Sequence, residues 1–334
     1  MSIEDVLAKL DKKTAARVQK ASEVKMVRHP YKSLGLTAET GGWVEGHVHL
    51  LYGPKSSGKS TQIYQTIADR QEADPEFTAG VIDAEGTYDP DFTAKLGVDN
   101  DRVLISHSKS FEQAQNVGVE FLQAGVRLLV VDSISVLIPM GFLDDGDLKG
   151  ADGMKQLGLR AKSTGIMLNS LSYANQETHA GIFIVSHGKL KLNAMGASLS
   201  YDGGTAMEHS ATQIIRLTAS ASARQQIEGD VYQNGQVFKK PIGREVNFFV
   251  EKNKAGAASG VGEYNMYYAG NFMGIDTVSE TVKLASKYNF IEKGGAWFTV
   301  NGRKMQGEKA VVDYLNSDLD YFEDLQSKVL SVVG

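Results

Sequence analysis

The sequence has 334 residues, 42% of them apolar and 22% charged, which excludes a disordered polymer and allows one large core with a small appended domain, or two modest domains. No run of about 18 apolar residues is present, so no membrane span is expected; cysteine is absent, which excludes disulfides and cysteine-ligated zinc. The formal net charge of −5 leaves a nucleic-acid partner open, because a local basic groove binds DNA on an acidic protein.

No basic segment followed by an apolar one opens the chain, so no secretory signal is expected and a cytoplasmic location is. Residues 2–20 carry Val6, Leu7, Leu10, Ala15, Ala16 and Val18 among charges, a helical spacing with one apolar face. A basic, irregular connection follows (Lys25, Arg28, His29, Lys32), so this helix stands apart from the core and must dock on something, in its own chain or another. From Gly46 short apolar runs alternate with polar helical segments. The runs cover 48–52, 80–83, 102–106, 128–132, 181–186, 213–217 and 246–250, and helices are predicted over 59–69, 111–124 and roughly 154–177. Several runs are apolar throughout, as strands buried on both faces are, and the strand–helix repetition predicts an α/β fold with a mainly parallel central sheet flanked by helices. Near Gly270 the character shifts to a helix over 277–287, a hairpin over 296–305 turning at Asn301-Gly302, and two short helices over 308–314 and 319–330. The domain division expected is 1–35 for the docking helix and linker, 36–270 for the core, and 271–334 for a small α/β appendage.

Gly53-Pro54-Lys55-Ser56-Ser57-Gly58-Lys59-Ser60 fits G-x-x-x-x-G-K-[ST] in full, after a predicted strand and at the start of a predicted helix. Glycines there let backbone N–H groups turn inward around phosphates, and the helix N-terminus adds positive potential. Lys59 is then the contact for the outer phosphates and the Ser60 hydroxyl a magnesium ligand; the bland alternative is a glycine-rich turn without ligand. The apolar strand 128–132 ends in Asp132, where a magnesium-organising carboxylate belongs in this class, though an aspartate at a strand end also serves as a helix cap. Strand 80–83 leads to Glu85, a candidate to orient and deprotonate an attacking water. Strand 181–186 leads to His187, a candidate γ-phosphate sensor; a lone histidine there is more often a structural hydrogen-bonder.

With these pieces placed, the sequence resembles RecA-type recombinases from about residue 40 to its end. The matching stretches, in order, are GPKSSGKST (53–61), IDAEGTYDPDFTAKLGVD (82–99), LLVVDSISVLIP (128–139), YDGGTAMEHSA (201–211), VEKNKAGA (250–257) and IEKGGAWFTVNGRKMQGEKA (291–310). His187 stands where the bacterial proteins usually have glutamine, which is similar to phage recombinases of the UvsX type. The resemblance implies a RecA-like P-loop ATPase core with ATP and Mg2+ as ligands, Thr61 completing the phosphate loop, and Glu85 as the catalytic carboxylate. It implies that Asp89 and Phe92 frame the adenine, Phe92 by stacking where the family often has tyrosine. Lys252 and Lys254 are implied to reach the ATP of the neighbouring subunit and neutralise charge on its γ-phosphate; read without the family they are two solvated lysines after an edge strand. The N-terminal helix is implied to pack on the adjacent protomer, an open interface that propagates into a helical filament.

Two glycine-rich segments are implied to contact DNA. The first, about 140–153, carries Phe142, Leu143 and Lys149. The second, about 188–204, carries Lys189 and Lys191 for phosphates, and Leu190, Met195, Leu199 and Tyr201 for insertion against bases, before Gly203 and Gly204. Lys293, Arg303, Lys304 and Lys309 are candidates for a basic face that gathers duplex DNA. The acidic tail of many bacterial members is missing, so no self-inhibition by a tail is expected. Basic residues often placed after the strand near Leu217 are replaced by Thr218, Ala219 and Ser220, leaving the second-DNA site unassigned. The implied function is an ATP-dependent filament on single-stranded DNA that pairs it with homologous duplex and exchanges strands, with single-strand-binding and mediator proteins as partners. The rivals are a hexameric helicase-type ATPase, which needs an arginine finger in place of Lys252 and Lys254, and a regulatory binder using ATP as a structural ligand.

Overall fold

The computed structural model describes residues 2–15, 18–144, 147–148, 153–193, 196–219, 226–233, 236–270 and 272–333. Its centre is a ten-stranded sheet built from β1 (Val48–Gly53), β2 (Ala79–Asp83), β3 (Val103–Ser106), β4 (Leu128–Asp132), β5 (Gly181–His187), β6 (Ala211–Thr218), β7 (Gln226–Gln233), β8 (Gln236–Asn253), β9 (Gly260–Tyr267) and β10 (Gly274–Ile275). The spatial order is β10-β9-β8-β6-β1-β5-β4-β2-β3, with β7 paired to the outer part of β8. From β6 to β3 every neighbour is parallel, and the β7–β10 edge is antiparallel. The sheet is therefore mainly parallel, as its unbroken apolar runs require.

Alternate residues of these strands feed two cores. Leu51, Val81, Val130, Val185 and Ile215 face helix α4 (Lys59–Ala73), which contributes Ile63 and Ile67. Leu50, Ile82, Leu129, Val131, Ile184 and Ile214 face α6 (Phe111–Gln123) and α7 (Gly153–Ala174), from which Ala114, Leu122, Leu168 and Leu171 pack down. A third cluster joins α9 (Thr277–Lys287), α10 (Glu308–Ser317) and α11 (Leu319–Val333) to the strands 292–294, 297–300 and 303–306.

Several expectations change. The single helix expected over residues 2–20 is two short ones, α1 (Ile3–Leu7) and α2 (Lys12–Ala15). Asp11 accepts from Lys13 N and Thr14 N at 3.0 Å and starts the second helix afresh. The connection before the core is not irregular throughout: Arg28–His29 pairs with Trp43–Val44, and Tyr31 and Leu34 are buried. The run expected over 246–250 is the middle of the 18-residue β8, which folds against β7 as a hairpin. The Asn234-Gly235 dipeptide between them is a hairpin-turn signal in the sequence and lies outside the described residues. The second glycine-rich segment is a hairpin, 189–193 against 196–200, rather than an open loop.

The C-terminal cluster is tied to residues 33–35 through the packing of Leu34 and through a buried carboxylate. Glu280 of α9 accepts from Ser33 Oγ at 2.7 Å, Leu34 N at 3.1 Å and Gly35 N at 3.0 Å, the free N–H groups that open α3 (Leu34–Thr40). Burial pushes its carboxyl up from 4.5 to about 7, against those three hydrogen bonds, with Asp276 adding to the rise. Between those two values the native state keeps a proton that the unfolded chain has released, so ionising Glu280 destabilises the fold as pH rises through that window. Glu280→Gln, which is neutral throughout, should gain thermal stability relative to wild type between pH 5.5 and 8. Unfolding midpoints of the two proteins across that range check it, and a constant difference contradicts it.

Candidate nucleotide-binding site

The strands β1, β5, β4 and β2 are neighbours in that order, and their C-terminal ends carry Gly53, His187, Asp132 and Asp83. Ligands of open parallel sheets bind at such ends. Gly53 has φ 155°, and a Cβ there would overlap the Leu217 carbonyl oxygen of β6. The loop that follows turns through left-handed Ser56 (φ 60°) and Gly58 (φ 87°) before α4 begins at Lys59, while Pro54 is half-buried, Lys55 exposed, Ser57 buried and Thr61 half-buried in the first turn.

Lys59 is 6% exposed, and its ammonium donates to Gly53 O at 3.1 Å and Pro54 O at 2.8 Å. Burial holds it below the ordinary lysine range, against the pull of Asp132 and Glu85. Ser60 Oγ donates to Asp132 Oδ2 at 2.6 Å. Burial raises the Asp132 carboxyl, the Ser60 hydrogen bond opposes that, and Glu85 adds to it. A buried lysine folded onto its own loop carbonyls and a half-buried carboxylate beside it together fit a phosphate chain that brings a divalent cation with it. A magnesium-bound nucleotide would meet both needs, and Ser60 and Asp132 are the residues placed to hold its cation.

Glu85 is gathered into the same place. Its Oε1 accepts from Ser133 Oγ at 2.8 Å and lies 2.8 Å from His187 Nε2, so that nitrogen carries the proton. The short loop bearing Glu85 is pinned by buried Asp83, whose carboxylate accepts from Gly86 N at 2.8 Å and Tyr88 N at 2.9 Å, and by Lys109 Nζ on Ala84 O at 2.7 Å. Asp89 caps α5 (Pro90–Lys95), accepting from Asp91 N and Phe92 N, and Phe92 is half-buried against the α4-side core.

The second glycine-rich segment grows directly out of this site. Gly188 N donates to Gly53 O at 2.8 Å, and Asp202 N donates to Ser186 Oγ at 2.9 Å, so one end of the 189–200 hairpin is anchored at the end of β1 and the other at the end of its neighbour β5. Lys189 is 2.5 Å from Asp202, and Leu190 is 72% exposed on the same strand. Tyr201 is half-buried and meets Tyr52 edge-on at 5.0 Å. Gly203 and Gly204 are left-handed at the start of α8 (Gly204–Ser210). Phe142 ends a 3-10 turn and is half-exposed. Lys149 and Met195 lie outside the described residues, as do the side chains of Leu143 and Lys191.

Lys252 and Lys254 sit together, apart from their own chain's phosphate loop. Lys252 Nζ donates to Glu208 O and Lys254 Nζ to His209 O, at the C-terminal end of α8. Burial and the neighbouring Lys254 charge lower the Lys252 ammonium from its ordinary value.

The C-terminal cations do not form one basic face. Cross-strand pairing puts Lys293 with Phe298 and Arg303 with Val300, on the side whose apolar residues are buried, whereas Lys304 pairs with Thr299 beside exposed Trp297. Each stacks on an aromatic ring, Lys293 on Phe298, Arg303 on Tyr314 and Lys304 on Trp297, and Lys309 pairs with Asp313 at 2.7 Å.

Reading the sequence alone passes over Ser133, Asp83 and Lys109, and also Arg244 of β8. Arg244 lies over the Tyr268 ring at 4.9 Å and donates to Ser56 O at 3.2 Å. Asp83 carries a local signal, a carboxylate just before Ala84-Glu85-Gly86. Arg244 carries none, being 188 residues from its partner. Two changes separate the parts of this site. Gly53→Ala should abolish nucleotide binding, because the added methyl displaces the loop. Asp132→Asn should weaken nucleotide binding roughly 10–100-fold in the presence of Mg2+ and leave magnesium-free binding unchanged; titration calorimetry with and without chelator distinguishes the two.

Against known proteins the chain matches the family model described as the RecA N-terminal domain over residues 2–272 and that of the RecA C-terminal domain over residues 279–334. It is 32% identical over 300 residues to Protein RecA of Streptococcus pyogenes serotype M5 (strain Manfredo), covering 89% of this chain and 75% of that one. The same identity and coverage hold for Protein RecA of Streptococcus equi subsp. zooepidemicus (strain MGCS10565). With both halves of the chain matched in order, the protein belongs to the RecA family of DNA recombination and repair proteins.

Proposed function

We propose that this protein assembles on single-stranded DNA as an ATP-dependent helical filament, pairs that strand with homologous duplex and exchanges strands, hydrolysing ATP when DNA is bound. The observation that carries the reading is the junction at Gly188, whose N–H bonds the phosphate-loop carbonyl of Gly53 at 2.8 Å while the preceding residue, His187, holds Glu85 at 2.8 Å. One hairpin thus borders both the phosphates and the carboxylate that would act on water. A strand of DNA lying against Lys189, Leu190 and Lys191 would bias the position of both.

In this reading Lys59, released from the carbonyls of Gly53 and Pro54, binds the β- and γ-phosphates. Magnesium held by Ser60 and supported by Asp132 supplies neutralisation of the phosphate charge. Glu85 orients the attacking water and takes its proton. His187 leaves Glu85 for the γ-phosphate, which removes one of the two hydrogen bonds on Oε1 and makes the carboxylate a stronger base, while Ser133 keeps its contact and holds the group in place. Asp89 and Phe92 border the adenine. Lys252 and Lys254 complete the neighbouring subunit's site, and two ammonium groups already crowding each other gain most from an anion between them. That arrangement makes turnover depend on subunit stacking.

The N-terminal segment docks on the adjacent protomer through Ile3 and Val6, which are exposed here. Trp297 and Lys304 on the outer face of the C-terminal sheet are the surface for gathering duplex. Residues 36–270 act as the ATPase core and 271–334 as the appended domain. The similarity to phage recombinases of the UvsX type rests on His187. Single-strand-binding and mediator proteins are the expected partners, and the host cytoplasm the expected location if the protein is phage-encoded. A ring-forming helicase finds no support in the pair of lysines where an arginine finger would be needed.

ATP turnover with and without poly-dT, at low and high salt, tests the reading. Wild type should be stimulated strongly by the single strand, with the stimulation weakened by salt, and Glu85→Gln should lose roughly 100-fold or more of the stimulated rate. Turnover indifferent to DNA would sink the coupling through residues 188–204.

A further inference from the structure

The end of β8 contains one residue more than its partner strand requires. Ile215 of β6 faces Val250, but Ile214 faces Lys252, so Glu251 is an inserted residue. Upstream, Val246, Phe248 and Val250 point into the core. Continued parity would send Lys252 and Lys254 inward; the insertion reverses the faces, turns Asn253 inward and the two lysines out.

The inward Asn253 is met by a buried polar network. Its Nδ2 donates to Thr40 O at 2.9 Å, and its Oδ1 accepts from Gln213 Nε2 at 3.3 Å and Ala255 N at 3.1 Å. Gln213, fully buried, also donates to Gly42 O at 2.8 Å and accepts from the Tyr31 hydroxyl at 2.5 Å. Arg28 reaches the same turn and donates to Gly41 O and Ala255 O. Gly256 leaves no room for slippage, since a Cβ there would stand 2.8 Å from Thr40 O and 2.9 Å from Asn253 Nδ2. A buried hydrogen-bonded tyrosine and glutamine contribute little net stability over apolar residues of the same shape, but they fix geometry. What they fix here is the register at which the lysines leave the sheet, Gln213 from β6 and Tyr31 from the segment that continues into the N-terminal arm.

We propose that Gln213 and Tyr31 are positioning residues for Lys252 and Lys254, holding Asn253 at the inserted residue so that the N-terminal arm and the two lysines move as one rigid joint. This rests on the reading that those lysines act on the ATP of a neighbouring subunit. Removing the Tyr31 hydroxyl loosens the aim of the lysines without touching the chain's own phosphate loop.

Mixed filaments test it. Tyr31→Phe, Gln213→Leu and Lys252→Ala are each assayed for poly-dT-stimulated ATP turnover, alone and with an excess of Glu85→Gln subunits, which keep their lysines but do not hydrolyse. Tyr31→Phe should lower the stimulated kcat roughly three- to tenfold with KM for ATP unchanged. The excess subunits should restore its turnover, as they restore that of Lys252→Ala, because intact lysines then reach the competent site. If Lys252→Ala is not restored, the lysines do not act between subunits and the underlying reading falls with the proposal. If Lys252→Ala is restored while Tyr31→Phe and Gln213→Leu turn over like wild type, the positioning role alone is overturned. A Tyr31→Phe defect that excess subunits leave unrepaired also overturns it, since its cause then lies within its own site.

Discussion

The parallel register of β1 with β5 governs the chemistry of this protein. Gly53 lies opposite His187, and the next residue, Gly188, approaches so closely that a Cβ on it would stand 3.0 Å from the Gly53 carbonyl carbon. A side chain at Gly188 would push the hairpin off the phosphate loop, and one at Gly53 would collide with the Leu217 carbonyl of β6 on the other side. Because β4 and β2 continue the same parallel array, the residues that follow each strand, Ser133 and Glu85 among them, emerge within hydrogen-bonding reach of one another. The apolar interiors of these strands fix where the polar ends stand, so core packing and site geometry are one constraint rather than two.

That constraint also explains which features can be read from the sequence alone. The phosphate loop is contiguous, and its residue types follow from a local backbone path, so Gly53, Gly58, Lys59 and Ser60 announce themselves. Asp132 is legible because a parallel strand buried on both faces must be apolar until it ends, and the first carboxylate after the run marks the end; by the same rule the strand before Glu85 ends at Asp83, which pins the loop, and Glu85 follows two residues later. The parallel sheet and its covering helices are legible for the same reason. Polar antiparallel pairing is harder to read: β7 alternates only weakly, with Ile227, Gly229 and Val231 half-buried between exposed Glu228, Asp230 and Tyr232, and most of the outer half of β8 is exposed, which leaves the Asn234-Gly235 turn dipeptide as the clearest signal. The short N-terminal helices elude periodicity because Asp11 resets the backbone between them.

Pairing register is the other blind spot. The sequence places Lys293, Arg303 and Lys304 within a few residues of a tight turn, and proximity alone suggests one basic surface. The strand pairing separates them, with Lys304 on the outer face beside Trp297 and the other two at the rim of the buried side. At the end of β8 the same blindness acts in reverse. Alternation through Phe248 and Val250 assigns Lys252 to the interior, and only the inserted Glu251 turns it out. Both cases are one-residue questions, where a shift of register exchanges the two faces completely.

The resting place of those lysines joins the three regions. Lys252 and Lys254 lie on the carbonyls of Glu208 and His209, which end α8, and α8 begins at Gly204, just after the hairpin that borders the phosphate loop. Burial first and the Lys254 charge second lower the affinity of Lys252 for its proton, and carbonyl dipoles offer two adjacent ammonium groups only partial charges in return. A polyphosphate offers full negative charge and would win against the carbonyls at short range. A hairpin moved by DNA would bear on α8, because Gly203 alone separates that hairpin's anchor at Asp202 from the first residue of the helix. Under the proposed reading, DNA binding therefore acts on two sites at once, on its own chain's site through Gly188 and His187 and on the neighbour's through α8 and the lysines. The first path alters how Glu85 is held, and the second alters whether the neighbouring γ-phosphate is neutralised, so a single contact with the strand bears on both requirements of hydrolysis.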